Sequence, residues 1–159
     1  MIKANVPHEG SALLRPELQF DHLGLVVKSV AKGRIAISKM LNISQWTAEF
    51  RDPLNGVVLQ FGLDPAGVCY ELLEPIDEFS PVYPALRNGK AILNHVAYRV
   101  TDLARQSEHL RRAGCAPTSD PKPAVAYGGR PIQFFVAPLR FIVELIEAPD
   151  HQHAYLPRP

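Results

Sequence analysis

Shifted by 73 residues, the chain falls onto itself without a gap. The stretch from His22 to Lys32 meets the stretch from His95 to Arg105, and Leu59-Gln60-Phe61 meets Ile132-Gln133-Phe134. Gly56 meets Gly129, Pro65 meets Pro138, and Tyr70 to Glu74 meets Val143 to Glu147. Separated matches on one offset mean that a single supersecondary unit is used twice and must bury its apolar surface against its own copy. The two copies span residues 20–76 and 93–149, with a lead-in at 1–19, a linker at 77–92 and a tail at 150–159.

Each copy reads as β-α-β-β-β. It opens on a run rich in Val and Leu, Leu23 to Val27 and Val96 to Val100, the composition of a strand. Ser29 and Asp102 then stand where a helix N-cap belongs. In the second copy Leu103, Leu110 and Ala113 share one side of the helix, and Gly114 marks its end. Three shorter strands follow, near 45–51, 56–62 and 68–73 and again near 116–119, 131–136 and 140–146. The expected fold is α+β, with two tandem βαβββ modules forming a curved mixed sheet. The stretch 75–92, with Pro75, Pro81, Pro84 and Gly89, connects the copies and has room for one helical turn.

Composition excludes several classes of partner. A formal net charge of +1 offers no electrostatic footprint for nucleic acid or an anionic membrane. No apolar run approaches the ~20 residues that span a bilayer. Met1 to Pro16 lacks the pattern of a signal peptide, and Cys69 and Cys115 make no disulfide framework. The expected location is therefore the cytoplasm, with both thiols as buried fillers and a small molecule as the partner.

The polar residues that recur at strand centres are His22 with His95 and Glu71 with Glu144, each histidine preceding its glutamate by 49 residues. A carboxylate among Val, Leu and Ile pays a desolvation penalty unless it is paired, hydrogen-bonded or metal-bound. Two carboxylates and two imidazoles meeting on one axis suit a divalent ion such as Zn, Ni, Co, Mn or Fe. A lone strand histidine is more often a hydrogen-bonded core residue, and strand alternation could turn either glutamate to solvent. Glu74 and Glu147 are better placed as the wetted pair. Gln60 and Gln133 repeat on the same offset and read as outer-face or helix-facing residues.

With His-Leu-Gly-Leu-Val-Val, Tyr-Glu-Leu-Leu-Glu-Pro, Asn-His-Val-Ala-Tyr-Arg-Val and Val-Glu-Leu-Ile-Glu in order, the chain resembles the vicinal oxygen chelate superfamily. That group includes glyoxalase I, methylmalonyl-CoA epimerase, extradiol dioxygenases and the fosfomycin and bleomycin resistance proteins. The resemblance implies a metal held by His22, Glu71, His95 and Glu144, and often a homodimer. Asn88 to His95, Asp52 to Val58 and Tyr127 to Arg130 look most like the epimerase branch. There the metal would bind two substrate oxygens and stabilise an enediolate, with Glu144 as one proton-transfer base. The position of the epimerase's second acid is Leu59 here, and Val136 to Arg140 replaces its glycine-containing turn. A glyoxalase I-like lyase and a non-enzymatic metabolite binder of the bleomycin resistance type are the rival readings. An extradiol dioxygenase would have no use for Glu71 as a fourth ligand.

The remaining candidates are read as ordinary. His151 and His153 read as a solvated terminus. Cys69 shares a pleat face with Glu71 and is placed to line the cavity. Arg99 and Arg130 read as surface residues.

Overall fold

The structure, a computed structural model, describes residues 17–87 and 93–157. The first copy runs β1 (Gln19–Val26), α1 (Val30–Leu41), β2 (Gln45–Trp46), β3 (Phe50–Asp52), β4 (Val57–Leu63) and β5 (Cys69–Pro75). After α2 (Tyr83–Arg87) the second runs β6 (Leu93–Arg99), α3 (Leu103–Arg112), β7 (Ala116–Pro117), β8 (Lys122–Ala124), β9 (Arg130–Val136) and β10 (Ile142–Ile146). The described strands form one ten-stranded sheet in the order β2-β4-β5-β1-β6-β10-β9-β7, with β3 paired to β4 and β8 to β9. This is the curved mixed sheet expected from the repeat. No helix among the described residues is long and apolar enough to cross a membrane.

Ten strands replace the eight expected because the second strand of each copy is broken in two. The paired glutamines occupy the breaks. Gln60 Nε2 donates to Thr47 O at 2.7 Å and Gln133 Nε2 to Ser119 O at 2.9 Å, so backbone that leaves the ladder keeps a partner. Gln133 also accepts from Ser107 Oγ of α3 at 2.7 Å. Its helix-facing reading holds, while Gln60 is buried in the sheet's own gap.

Strand alternation separates two cores. On β10, Val143 and Leu145 pack toward α3 with Val100, Leu103 and Phe135, while Glu144 and Ile146 point the other way. On β5, Leu72 packs toward α1 with Val30, Ile37, Ile43 and Trp46. Cys69 and Leu73 join Leu59, Phe61, Ala97, Tyr127 and Ile132 on the opposite face. With helices covering one face, the other closes over a cavity. Glu71 and Glu144 therefore sit on strands buried on both sides.

Ser29 and Asp102 cap α1 and α3 as expected, accepting from Lys32 N and Arg105 N. Gly114, at φ +87°, supplies the left-handed turn after α3 that a β-carbon would strain. Glu74 and Glu147 are not simply wetted. Glu74 Oε2 accepts from Val30 N at 2.7 Å and Glu147 Oε2 from Leu103 N at 2.8 Å, each satisfying a free donor at the first turn of its module's helix. Glu147→Ala is expected to cost about 1–2 kcal/mol, lowering the melting temperature by roughly 3–6 °C. Glu147→Gln, which keeps an acceptor, should lose less. Thermal unfolding followed by circular dichroism checks both.

Candidate metal centre

The two copies meet at the antiparallel β1–β6 pair, flanked by parallel partners β5 and β10. Each of these four central strands contributes one polar side chain to the axis: His22, His95, Glu71 and Glu144. All four are buried, His22 completely. Their donor atoms converge. His22 Nε2 lies 3.0 Å from His95 Nε2, 3.2 Å from Glu71 Oε2 and 3.3 Å from Glu144 Oε2. His95 Nε2 lies 3.3 Å from Glu71 Oε2 and 3.1 Å from Glu144 Oε2. The structure thus brings together all four residues that the repeat singles out.

Two bulges aim the histidines. In the β1–β6 ladder Phe20 pairs with Tyr98 and His22 with Ala97, so Asp21 is skipped; Gly24 pairs with His95 and Leu25 with Leu93, so Asn94 is skipped. A bulge of this kind re-aims a side chain that alternation would send to the far face. The skipped residues then reach the histidines that follow them. His22 Nδ1 donates to Asp21 Oδ2 at 2.8 Å, and His95 Nδ1 to Asn94 Oδ1 at 3.0 Å. Outer partners of this type fix the tautomer and orientation of metal-binding imidazoles. Asp21 and Asn94 also stand 73 residues apart, a signal present in the repeat but overlooked because attention fell on the histidines.

The donor chemistry fits a divalent cation. With both Nδ1 hydrogens committed, both Nε2 atoms present lone pairs to each other and to two carboxylates. Ligands at right angles on bonds of ~2.1 Å stand ~3.0 Å apart, close to the separations observed. Burial opposes charge on His22, yet Glu71 and hydrogen bonds to Asp21, Glu144 and Glu71 hold it well above the usual imidazole range. His95 is raised against the same burial by hydrogen bonds to Glu144 and Glu71. Glu71 is likewise opposed by burial but drawn down to about 2 by His22 and then His95. The cluster demands positive charge.

Gly24 makes room for the His95 ring, with which a β-carbon there would collide. Beside the four side chains opens a cavity of about 310 Å³, at the small end of ligand pockets. His95, Glu71 and Glu144 line it, with walls that include Leu59, Leu73 and Phe134. Asp52 reaches it too, but its carboxylate accepts from Asn55 N, Asn55 Nδ2 and Val125 N. Cys69 is not among the lining residues; it is buried beneath Tyr155, whose hydroxyl donates to its sulfur, and burial pushes its thiol up to about 11.

Two expectations for the remaining residues are corrected, and one residue that was passed over joins the site. His153 is not solvated: its Nε2 donates to Asp21 Oδ2 at 3.0 Å and its ring stacks on Phe61 with centroids 4.0 Å apart. Arg99 is not a free surface cation: its Nε lies 2.9 Å from Asp21 Oδ1, and its Nη1 donates to His151 O. Tyr127, singled out in the sequence only as the start of a segment that resembles the epimerase branch, is buried and donates to Asp21 Oδ2 at 2.7 Å. Burial raises its hydroxyl well above the usual phenol range, and the Asp21 charge adds to that. Arg130 is exposed as expected.

Comparisons with known proteins agree with this architecture. A family profile described as Glyoxalase/Bleomycin resistance protein/Dioxygenase superfamily matches residues 21–134, which include three of the four clustered residues and stop short of Glu144. A curated relative, the ethylmalonyl-CoA/methylmalonyl-CoA epimerase of Cereibacter sphaeroides, is 30% identical over 84 residues. That match spans 52% of this chain and 62% of the relative, less than two thirds of its length. Among solved structures, one of a hypothetical protein from Bacillus halodurans C-125 superposes with a TM-score of 0.72 at 21% identity, covering 87% of this chain and 100% of the other. Methylmalonyl-CoA epimerase from Mycobacterium tuberculosis gives 0.69 at 20% identity, covering 86% and 92%. At those identities the likeness is one of fold.

Proposed function

The chain belongs to the glyoxalase/bleomycin resistance protein/dioxygenase superfamily, and on that premise we propose that it is a divalent-metal-dependent enzyme of the epimerase or isomerase type, moving a proton at the carbon beside a carbonyl. The observation that carries the reading is the cluster itself. Four buried donors stand 3.0–3.3 Å apart in five of their pairings, with both imidazoles oriented from behind. A divalent ion held there by His22, Glu71, His95 and Glu144 would supply Lewis-acid charge where a carbonyl oxygen becomes negative.

The chain's own residues do the rest. Glu144 lines the cavity, as Glu71 does, and the resemblance to the epimerase branch assigns Glu144 as the base that accepts the proton; Asp52 is occupied by three N–H donors and Tyr127 by Asp21. The apolar walls exclude water, which strengthens electrostatic effects inside. The cavity accommodates a small carbonyl compound or the acyl end of a thioester, leaving a larger carrier outside. The Cereibacter relative is named for 2-substituted malonyl thioesters, and that class is proposed as the substrate.

Leu59 favours a second reading. It lines the cavity, buried, where two-base epimerisation would place its second acid. A single-base reaction returning the proton to the neighbouring carbon, as in a glyoxalase I-like lactoylglutathione lyase, needs no group there. Protein loaded with Co, Ni, Mn or Zn should exchange the α-proton of methylmalonyl-CoA with deuterium oxide under the first reading. Under the second it should turn over the hemithioacetal of methylglyoxal and glutathione. Neither activity with any of the four ions would sink both.

A further inference from the structure

The internal repeat makes the backing of the two histidines formally equivalent, yet the structure treats them differently. Asn94, behind His95, is a neutral amide that lines the cavity. Asp21, behind His22, is a carboxylate only 7% exposed, and a buried carboxylate must collect donors to offset its lost hydration. It has four. His22 Nδ1 donates at 2.8 Å, Tyr127 OH at 2.7 Å, His153 Nε2 at 3.0 Å, and Arg99 Nε stands at 2.9 Å. One of them, His153, comes from the tail.

We propose that residues 150–157 are part of the metal centre, with His153 as a positioning residue that holds Asp21, and through it His22, in place for the ion. The inference rests on the metal reading above and extends it to a segment outside both repeated modules. The tail is fastened at several points around the site. His153 stacks on Phe61, whose backbone pairs with Glu71. Tyr155 forms a bridge with Thr47 and donates to Cys69 Sγ at 3.4 Å. Leu156 N donates to Trp46 O at 2.8 Å, and His151 O accepts from Arg99. The His22 side is thereby closed while the His95 side opens to substrate. A second cation among Asp21, His22 and His153 is disfavoured, because the Arg99 guanidinium already neutralises Asp21 and His22 Nδ1 is committed to it.

The test compares two substitutions that divide the imidazole's roles. His153→Gln keeps an N–H donor but loses the aromatic stack; His153→Phe keeps the stack but loses the donor. Dissociation constants for Co2+, measured by competition with a chelator, should stay within about threefold of wild type for His153→Gln and weaken about tenfold for His153→Phe. The reverse order, or no change in either, would overturn the inference. An independent readout uses wild-type protein alone. If tail docking and metal binding are coupled, each must favour the other, so saturating Co2+ should slow hydrogen exchange at the His151 and Leu156 amides. Unchanged exchange overturns the inference even if a variant fails to fold. Wild type that binds no Co2+ would instead remove the metal reading, and this inference with it.

Discussion

Glu144→Ala is expected to weaken divalent-metal binding by more than about 100-fold, since even an outer-shell partner is typically worth 10–100-fold. It should also reduce α-proton exchange by about 10²–10⁴-fold, the usual contribution of a positioned base. The two losses can be separated. Glu144→Gln retains an oxygen that can face an ion but no longer accepts a proton, so it should keep more of the metal affinity and lose exchange almost as completely. Stability provides a check that needs no substrate. A ligand at 100 times its dissociation constant stabilises a native protein by about 2.7 kcal/mol, and one at its dissociation constant by about 0.4 kcal/mol. At the metal concentration giving the first value for wild type, Glu144→Ala should lose most of the metal-dependent rise in melting temperature. An unchanged rise in the variant would take Glu144 out of the site.

The second large effect comes from a residue with no side chain. Gly24 lies opposite His95 in the central ladder, and the His95 ring occupies the space a β-carbon would need. Gly24→Ala therefore forces the imidazole or the strand to move, although the backbone there requires no positive φ. Because a misplacement of 1 Å is enough to impair a preorganised site, metal affinity should fall at least about tenfold. Gly62→Ala is the control. Its β-carbon would approach the Trp46 ring to 2.7 Å, on the helix-covered side of the sheet. That substitution should lower the melting temperature by overpacking while leaving metal affinity near wild type. Equal metal affinities for Gly24→Ala and wild type would contradict the packing argument.

The architecture was legible because a duplicated unit leaves its own alignment in the chain. The offset of 73 located both modules, both helix caps and the four clustered side chains without reference to any other protein. What it could not convey was which way short polar residues turn. Glu74 and Glu147 looked like solvent-facing residues because strand periodicity carries no information about a helix end packed across the sheet. Asp21 and Asn94 were passed over because alternation sends the residue before a buried histidine to the other face, and only the bulges at these two positions reverse that. His153 and Arg99 depended on contacts between distant parts of the chain, 132 and 78 residues from Asp21, which no local pattern records. Leu59 was a different case. Its identity raised the question of the second base, and its place in the cavity wall is why the second reading stands beside the first.

The most direct test is the metal content of the wild-type protein, measured by elemental analysis after purification and again after incubation with Co, Ni, Mn or Zn and removal of excess ion. The expected result is about one divalent ion per chain, absent from His22→Ala and Glu144→Ala treated in parallel. Wild type that takes up none of these ions while remaining folded, or variants that hold as much as wild type, would contradict the assignment of His22, Glu71, His95 and Glu144 as a metal centre.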